Sequence, residues 1–160
     1  MNLTGTIAIA APRPAVWSLV VDPVGLAACV PGVHEVRQVD DRTFEGSISA
    51  AVGPMNGDFA FTSVIERADM PDALDVRVEG IDSVTRSRLE AHVQTTLTED
   101  GAGTVLGYRA TIRVKGRLAI LGEMVLRATA SLMIAQVTRC LQSRLETVEA
   151  AEAAKPAVES

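Results

Sequence analysis

The side chains best suited to chemistry gather in AACVPGVHEV, residues 27–36, where Cys29, His34 and Glu35 lie close together. A cysteine nucleophile needs a base within hydrogen-bond reach and a third group to orient that base. Between Cys29 and His34 the Pro31-Gly32 pair reads as a tight turn, and Val33 begins an extended segment. The two side chains are therefore not expected to converge. As metal ligands they supply two donors, where a zinc site usually takes about four. Cys29 is expected to act as a small buried hydrophobe, and His34 and Glu35 to sit at a rim, one of them facing water. No metal site is expected.

The remaining titratable groups fall on strand faces that read as solvated. His92 alternates with Arg88, Glu90 and Gln94, and Asp58, Glu66, Glu79 and Glu90 take outward positions in their segments. No carboxylate pair points inward, so general acid–base chemistry lacks its two groups. Tyr108 is the one inward aromatic with a polar tip, and its hydroxyl needs either a ligand carbonyl or a backbone carbonyl as partner. No catalytic residue is assigned, and the chain is expected not to be an enzyme. A net charge of −5 and five aromatic residues in all argue against a nucleic-acid partner.

These groups have to be positioned by elements that the periodicity reveals. Residues 3–10 read as a strand, and APRPAVWSLVVDPVGLAACVPG as two short helices. Pro14 suits a first helical turn, Asp22 is the expected N-cap of the second helix, and Pro31-Gly32 stops it. From Val33 to Lys115 the pattern becomes period two. Phe44, Gly46, Ile48, Ala50 and Val52 share one face; Phe59, Phe61, Ser63 and Ile65 share the next. Val76 and Val78, then Leu89 and Val93, then Tyr108, Ile112 and Val114 continue it. This is a one-sided antiparallel sheet. After Gly116 a proline-free stretch carries apolar residues at 121, 125, 128, 132, 134, 137, 141 and 145, which is helical spacing.

The fold class is therefore α+β: a curved antiparallel sheet of about seven strands around a long C-terminal helix, with two short helices after the first strand. The chain is read as one helix-grip domain over residues 1–150 and a flexible tail over 151–160. Cys29 and Cys140 lie far apart, without CxxC or CxxH spacing, so no disulfide framework is expected and a reducing cytoplasm fits. The start, MNLTGTIAIAAPRP, lacks a basic leader, and no stretch reaches the roughly 18 apolar residues of a membrane span.

The inward list is short of volume. Gly46, Ala50, Ser63, Ala91, Thr95 and Ala110 sit among larger side chains, and Ala119, Gly122, Ala128 and Ala130 come from the helical stretch. Either a pocket remains for an apolar ligand, or small residues let the helix lie close to the sheet. The residues expected to contact such a ligand are Leu26, Val30, Phe44, Ile48, Met55, Phe59, Phe61, Tyr108, Leu118, Leu121, Met124, Val125 and Ala128. A bulky residue at Ala128 should then fill the pocket. VPG (30–32), VGPMNG (52–57) and GRLAILGEM (116–124) are expected to form its glycine- and proline-rich rim.

Three of these segments carry a resemblance. RPAVWSLVVDPVGLAACVPGV, AAVGPMNGDFAF and GTVLGYRATIRVKGRLAILGEMVL closely resemble the carbon monoxide dehydrogenase G-subunit family of the START-like (SRPBCC) superfamily, in order, over residues 1 to about 148. The resemblance implies a helix-grip fold with a hydrophobic pocket. It implies a quinone or other isoprenoid lipid as ligand, with no covalently bound cofactor. It further implies service to a molybdenum hydroxylase such as carbon monoxide dehydrogenase, and its recruitment to the inner face of the cytoplasmic membrane for electron transfer. The expected location is cytoplasmic, peripheral on that membrane. An assembly factor without ligand transport, or a START-like enzyme acting on a small hydrophobic substrate, are the alternatives.

Overall fold

The computed structural model describes residues 1–159, and of 148–159 the backbone alone. Strand β1 (Asn2–Ile9) leads into helices α1 (Arg13–Val20) and α2 (Pro23–Ala27). Strands β2 (Val33–Gln38), β3 (Thr43–Val52), β4 (Met55–Asp69), β5 (Ala73–Asp82), β6 (Arg88–Asp100) and β7 (Gly103–Lys115) follow. A 3-10 helix (Arg117–Leu121) then leads into the long helix α3 (Glu123–Glu159). All seven strands form one antiparallel sheet in the order β1-β7-β6-β5-β4-β3-β2. The α+β helix-grip architecture matches the periodicity, and the separate 3-10 helix is an addition to it. The tail expected from residue 151 falls where the side chains lie outside the description.

Local chemistry sets the turns. Asp22 caps α2, its Oδ1 accepting from the Val24 amide at 3.2 Å, with Pro23 in the first turn. Gly32 has a φ of +86°, and a Cβ there would stand 2.0 Å from the Ser49 carbonyl oxygen. Only glycine lets the chain turn this close to β3, where the Ser49 amide bonds the Gly32 carbonyl at 3.0 Å.

The apolar interior is divided between two ends. At one end α1 plugs the sheet: Val16, Trp17 and Val20 pack with Ile7, Ile9, Leu74, Leu97, Leu106 and Leu145. The other end holds only a small cluster of Val52, Phe59 and Leu118, with Ile48, Met55, Leu89, Val114, Leu121 and Leu126 packed against it. The larger cluster fixes where α3 lies, because Leu141 and Leu145 are the buried anchors of that helix and Gln142 Nε2 donates to the Ala8 carbonyl at 2.9 Å.

A buried polar latch positions the 3-10 helix at the second end. Asp82 is inaccessible to solvent. Its Oδ1 accepts from the Asp58 amide at 2.9 Å and its Oδ2 from the Thr85 amide at 3.0 Å and from the Thr85 hydroxyl. The Thr85 and Ser87 hydroxyls meet at 2.7 Å, and Ser87 Oγ accepts from the Leu118 amide at 3.1 Å. The chain of bonds therefore runs from β4 through the β5–β6 turn to the 3-10 helix. Gly116 (φ +95°) passes so close to Ser87 that a Cβ would stand 2.9 Å from its Cα. Burial alone would raise the Asp82 carboxyl, but the hydrogen bonds from Thr85 and from the Asp58 and Thr85 amides hold it below its ordinary value.

Two outcomes follow from this arrangement. Leu145→Ala opens a void beneath the helix and should cost about 2–5 kcal/mol, read as a lower urea midpoint. Asp82→Asn turns an amide NH2 toward donors that need an acceptor and should cost about 1–3 kcal/mol near neutral pH. Because the folded carboxyl is depressed, its contribution is full above the ordinary value of 3.8 and is lost as pH falls through the folded value. The stability gap between wild type and Asp82→Asn should therefore narrow in acid, and thermal denaturation across a pH series checks it.

Candidate functional site

A pocket of about 390 Å3 lies between the inner face of the sheet and the first turns of α3. Helix α2 and the chain beyond it contribute Pro23, Leu26, Ala27 and Val30; β2 contributes Val33 and Val36; β3 contributes Phe44, Ile48, Ala50 and Val52. Opposite them stand Phe59 and Phe61 of β4, Val78 and Gly80 of β5, Leu89 of β6, and Ile112 and Val114 of β7. Leu118 of the 3-10 helix and Leu126, Ala130 and Met133 of α3 close the far wall, and Met1 touches it.

Among the described residues, Ser63 and Thr129 bring the only side-chain hydroxyls, and no ionisable side chain lines the pocket. The Thr129 hydroxyl is already spent on the Val125 carbonyl at 3.0 Å. No side chain in these walls can compensate a buried ligand charge, whose desolvation would be costly. The pocket therefore suits an apolar body that needs at most one or two hydrogen bonds.

Of the residues expected at the site, Leu26, Val30, Phe44, Ile48, Phe59, Phe61 and Leu118 line this pocket. The others do not. Met55 and Leu121 pack against the wall residues Val52, Phe59 and Leu118 without lining the pocket themselves. Tyr108 pairs with Gly5 of β1 and packs against the α1 cluster, beyond the pocket's end. Val125 abuts the β3–β4 turn at Gly53, Met124 is 86% exposed and Ala128 faces solvent. The expected α3 residues stand in the wrong helical phase. The first half of α3 carries apolar residues on several sides besides Glu123, Arg127 and Arg139, so spacing alone does not choose a single face. The anchors Leu141 and Leu145 choose it, with Arg127 Nη1 donating to the Asn2 carbonyl at 3.0 Å. They turn Leu126, Thr129, Ala130 and Met133 inward. For the strands, alternation is a sufficient signal for Val78, Leu89, Ile112 and Val114.

Cys29 is not the lone thiol expected from the sequence. It is bonded to Cys140 of α3, with the two Cα atoms 5.4 Å apart. A separation of 111 residues hides the contact in the sequence; it exists because α2 folds back beside the helix. His34 is exposed, and its Nε2 lies 3.1 Å from the Ser49 hydroxyl, which donates to Asp58 at 3.2 Å. The Cys29–His34 pair therefore does not assemble. His92 bonds Glu66 on the outer face and holds that carboxyl below its ordinary value. Among the described residues no cluster has the makings of a metal site, and no helix is long and apolar enough to cross a membrane.

A second groove, of about 1090 Å3, runs across the outer face of the sheet. Acidic and basic residues alternate along it: Glu35, Arg37 and Glu45 on one side, Arg88, Glu90, Arg113 and Lys115 on the other. Arg37 Nη2 already pairs with Glu45 at 2.7 Å, so this face is a solvated surface rather than an enclosed site.

Solved structures share this architecture. A conserved protein from Geobacillus kaustophilus superposes with a TM-score of 0.85 at 20% identity, covering 92% of this chain and 96% of the other. A START superfamily protein from Mycobacterium smegmatis gives 0.69 at 14% identity, over 92% and 98%. The ZhuI aromatase/cyclase from Streptomyces sp. R1128 gives 0.64 at 14% identity, over 91% and 93%. At these identities the likeness establishes a START-like fold. No curated protein matches the sequence. The family model for the carbon monoxide dehydrogenase G subunit (CoxG) matches residues 5–146, nearly the whole of the sheet, both short helices and α3 as far as Glu146, and the chain belongs to that family.

Proposed function

We propose that this chain is a non-catalytic carrier that holds a quinone or other isoprenoid lipid for a molybdenum hydroxylase such as carbon monoxide dehydrogenase. The observation that carries the reading is the pocket itself: about 390 Å3, walled by apolar side chains and free of ionisable ones among the described residues. That volume lies within the range of about 300–1,000 Å3 that small-molecule sites occupy. A quinone ring and the first part of its tail match such walls, and the Ser63 hydroxyl is a donor for one ring carbonyl. Family membership supports an oxidoreductase as partner.

Exposed apolar residues close in sequence to the pocket wall support a peripheral role at the cytoplasmic membrane. Ile120 is 83% and Met124 86% exposed, beside Leu118 and Leu126 of the pocket wall. Large apolar side chains displayed next to an apolar cavity suit transfer of a lipid without passage through water. No described pocket side chain offers a general acid or base, which favours carriage over catalysis even though the fold is shared with an aromatase/cyclase. The second reading is an assembly factor that binds the dehydrogenase through the charged outer face, with the pocket unused.

One experiment separates them. Solvent extraction and mass analysis of purified protein should recover a quinone or related lipid in near-stoichiometric amount. Ala130→Phe places a ring in the pocket and should reduce recovery by about tenfold or more while the fold persists. Retention of dehydrogenase recruitment by Ala130→Phe without lipid would favour the assembly reading. Loss of both favours the carrier, and recovery of no apolar ligand from wild type would overturn it.

A further inference from the structure

We propose that the Cys29–Cys140 disulfide is a redox latch on the pocket. Closed, it pins the pocket-lining α2 segment to α3; opened by a dithiol reductant, it frees that segment and speeds ligand passage. The inference rests on the reading of the pocket as a carrier site.

Cys29 stands between two wall residues, Leu26 and Val30, and Cys140 lies about two turns beyond Met133, the last α3 residue at the pocket. The bond therefore ties the two elements that carry facing walls, α2 and α3, at a point beyond the pocket's edge. Among the described residues few other contacts do so. No residue within α2 is buried, so no deep apolar packing anchors the helix in place. The hydrogen-bonded link to α3 is Arg144, whose Nη1 donates to the Gly25 carbonyl at 2.7 Å. A short helix that is half-buried rather than buried and has one such bond to α3 belongs to the low-stability end of a structure once its covalent tether is cut.

The surroundings also give the bond a direction of attack. Cys29 is 5% exposed, whereas Cys140 is only half-buried. Arg144 Nη1 lies 4.0 Å from the Cys29 sulfur, where a guanidinium stabilises a thiolate. A reductant thiolate attacks Cys140 Sγ, the S–S bond breaks, and its electron pair leaves on Cys29 as a thiolate facing Arg144. The second thiol of the reductant then displaces the mixed disulfide, freeing the Cys140 thiolate and closing the reductant's own disulfide. Two electrons pass from reductant to protein. Exchange with oxidised glutathione, a disulfide oxidant, restores the bond by the reverse steps.

Two readouts test the latch in the full chain. Amide hydrogen exchange of residues 24–30 should accelerate about tenfold or more when the disulfide is reduced, with strands β4 and β5 unchanged. Release of bound decyl-ubiquinone into excess cyclodextrin should accelerate by a similar factor of about ten. Cys140→Ala should show the fast behaviour in both redox conditions, and reduction of wild type supplies the same comparison if that variant folds poorly. Rates that are equal in the two redox states, for both readouts, overturn the latch. Failure of decyl-ubiquinone to bind either form overturns the carrier reading of the pocket, and amide exchange then decides the latch alone.

Discussion

A seven-stranded sheet with one apolar face has more surface to hide than one helix can cover, and the rest of this molecule follows from how that mismatch is met. At the α1 end the deficit is filled by side chains. Trp17, the largest residue in the chain, joins Val16 and Val20 to close the sheet over Leu74, Leu97 and Leu106. At the other end the helix above the sheet carries Ala130 and Thr129, and the sheet beneath it Gly80 and Ala50. These side chains are too small to meet across the gap. Close packing is the norm for protein interiors, so a gap lined by apolar groups is a place that favours an apolar occupant.

The open end is held in shape by polar and covalent devices, because apolar packing is thin there. Asp82, Thr85 and Ser87 carry hydrogen bonds from β4 to the 3-10 helix and so set Leu118 over the pocket. A fully satisfied buried network of this kind fixes one geometry where hydrophobic contact alone would tolerate several. On the opposite rim the Cys29–Cys140 bond and Arg144 do the corresponding work for α2. The two rims differ in one respect that bears on function. The first is sealed by buried hydrogen bonds, and the second by a bond that a thiol can open.

The absence of ionisable side chains from the pocket wall among the described residues is as informative as its shape. The START-like fold is shared by proteins of different activity, an aromatase/cyclase among its structural relatives, so function has to be argued from the site. The polar groups of this chain that are best placed for chemistry, His34 with Ser49 and Asp58, and His92 with Glu66, all stand on the exposed face of the sheet. They are separated from the pocket by the sheet itself, since successive side chains of a strand point to opposite faces.

How far the sequence reaches differs from residue to residue. Phe44, Ile48, Phe59 and Phe61 are legible as pocket residues because period-two alternation assigns a strand's faces without reference to anything else. Asp22 as a cap and Gly32 as a turn are legible because their chemistry acts within a few residues. The α3 face is not, since a helix with apolar residues on several sides shows no single preferred face until Leu141 and Leu145 find their place on the sheet. Tyr108 reads as inward and is inward, yet only the packing of α1 determines that it lies beyond the pocket. Asp82 ends a strand and looks like any turn residue; its burial depends on β4 and the 3-10 helix converging on it. The sequence by itself determined the strands, their wet and dry faces and the class of fold, because those rest on local periodicity. Tertiary structure alone decided the helix phase, the buried latch and the Cys29–Cys140 bond, because each joins groups brought together only when the chain closes on itself.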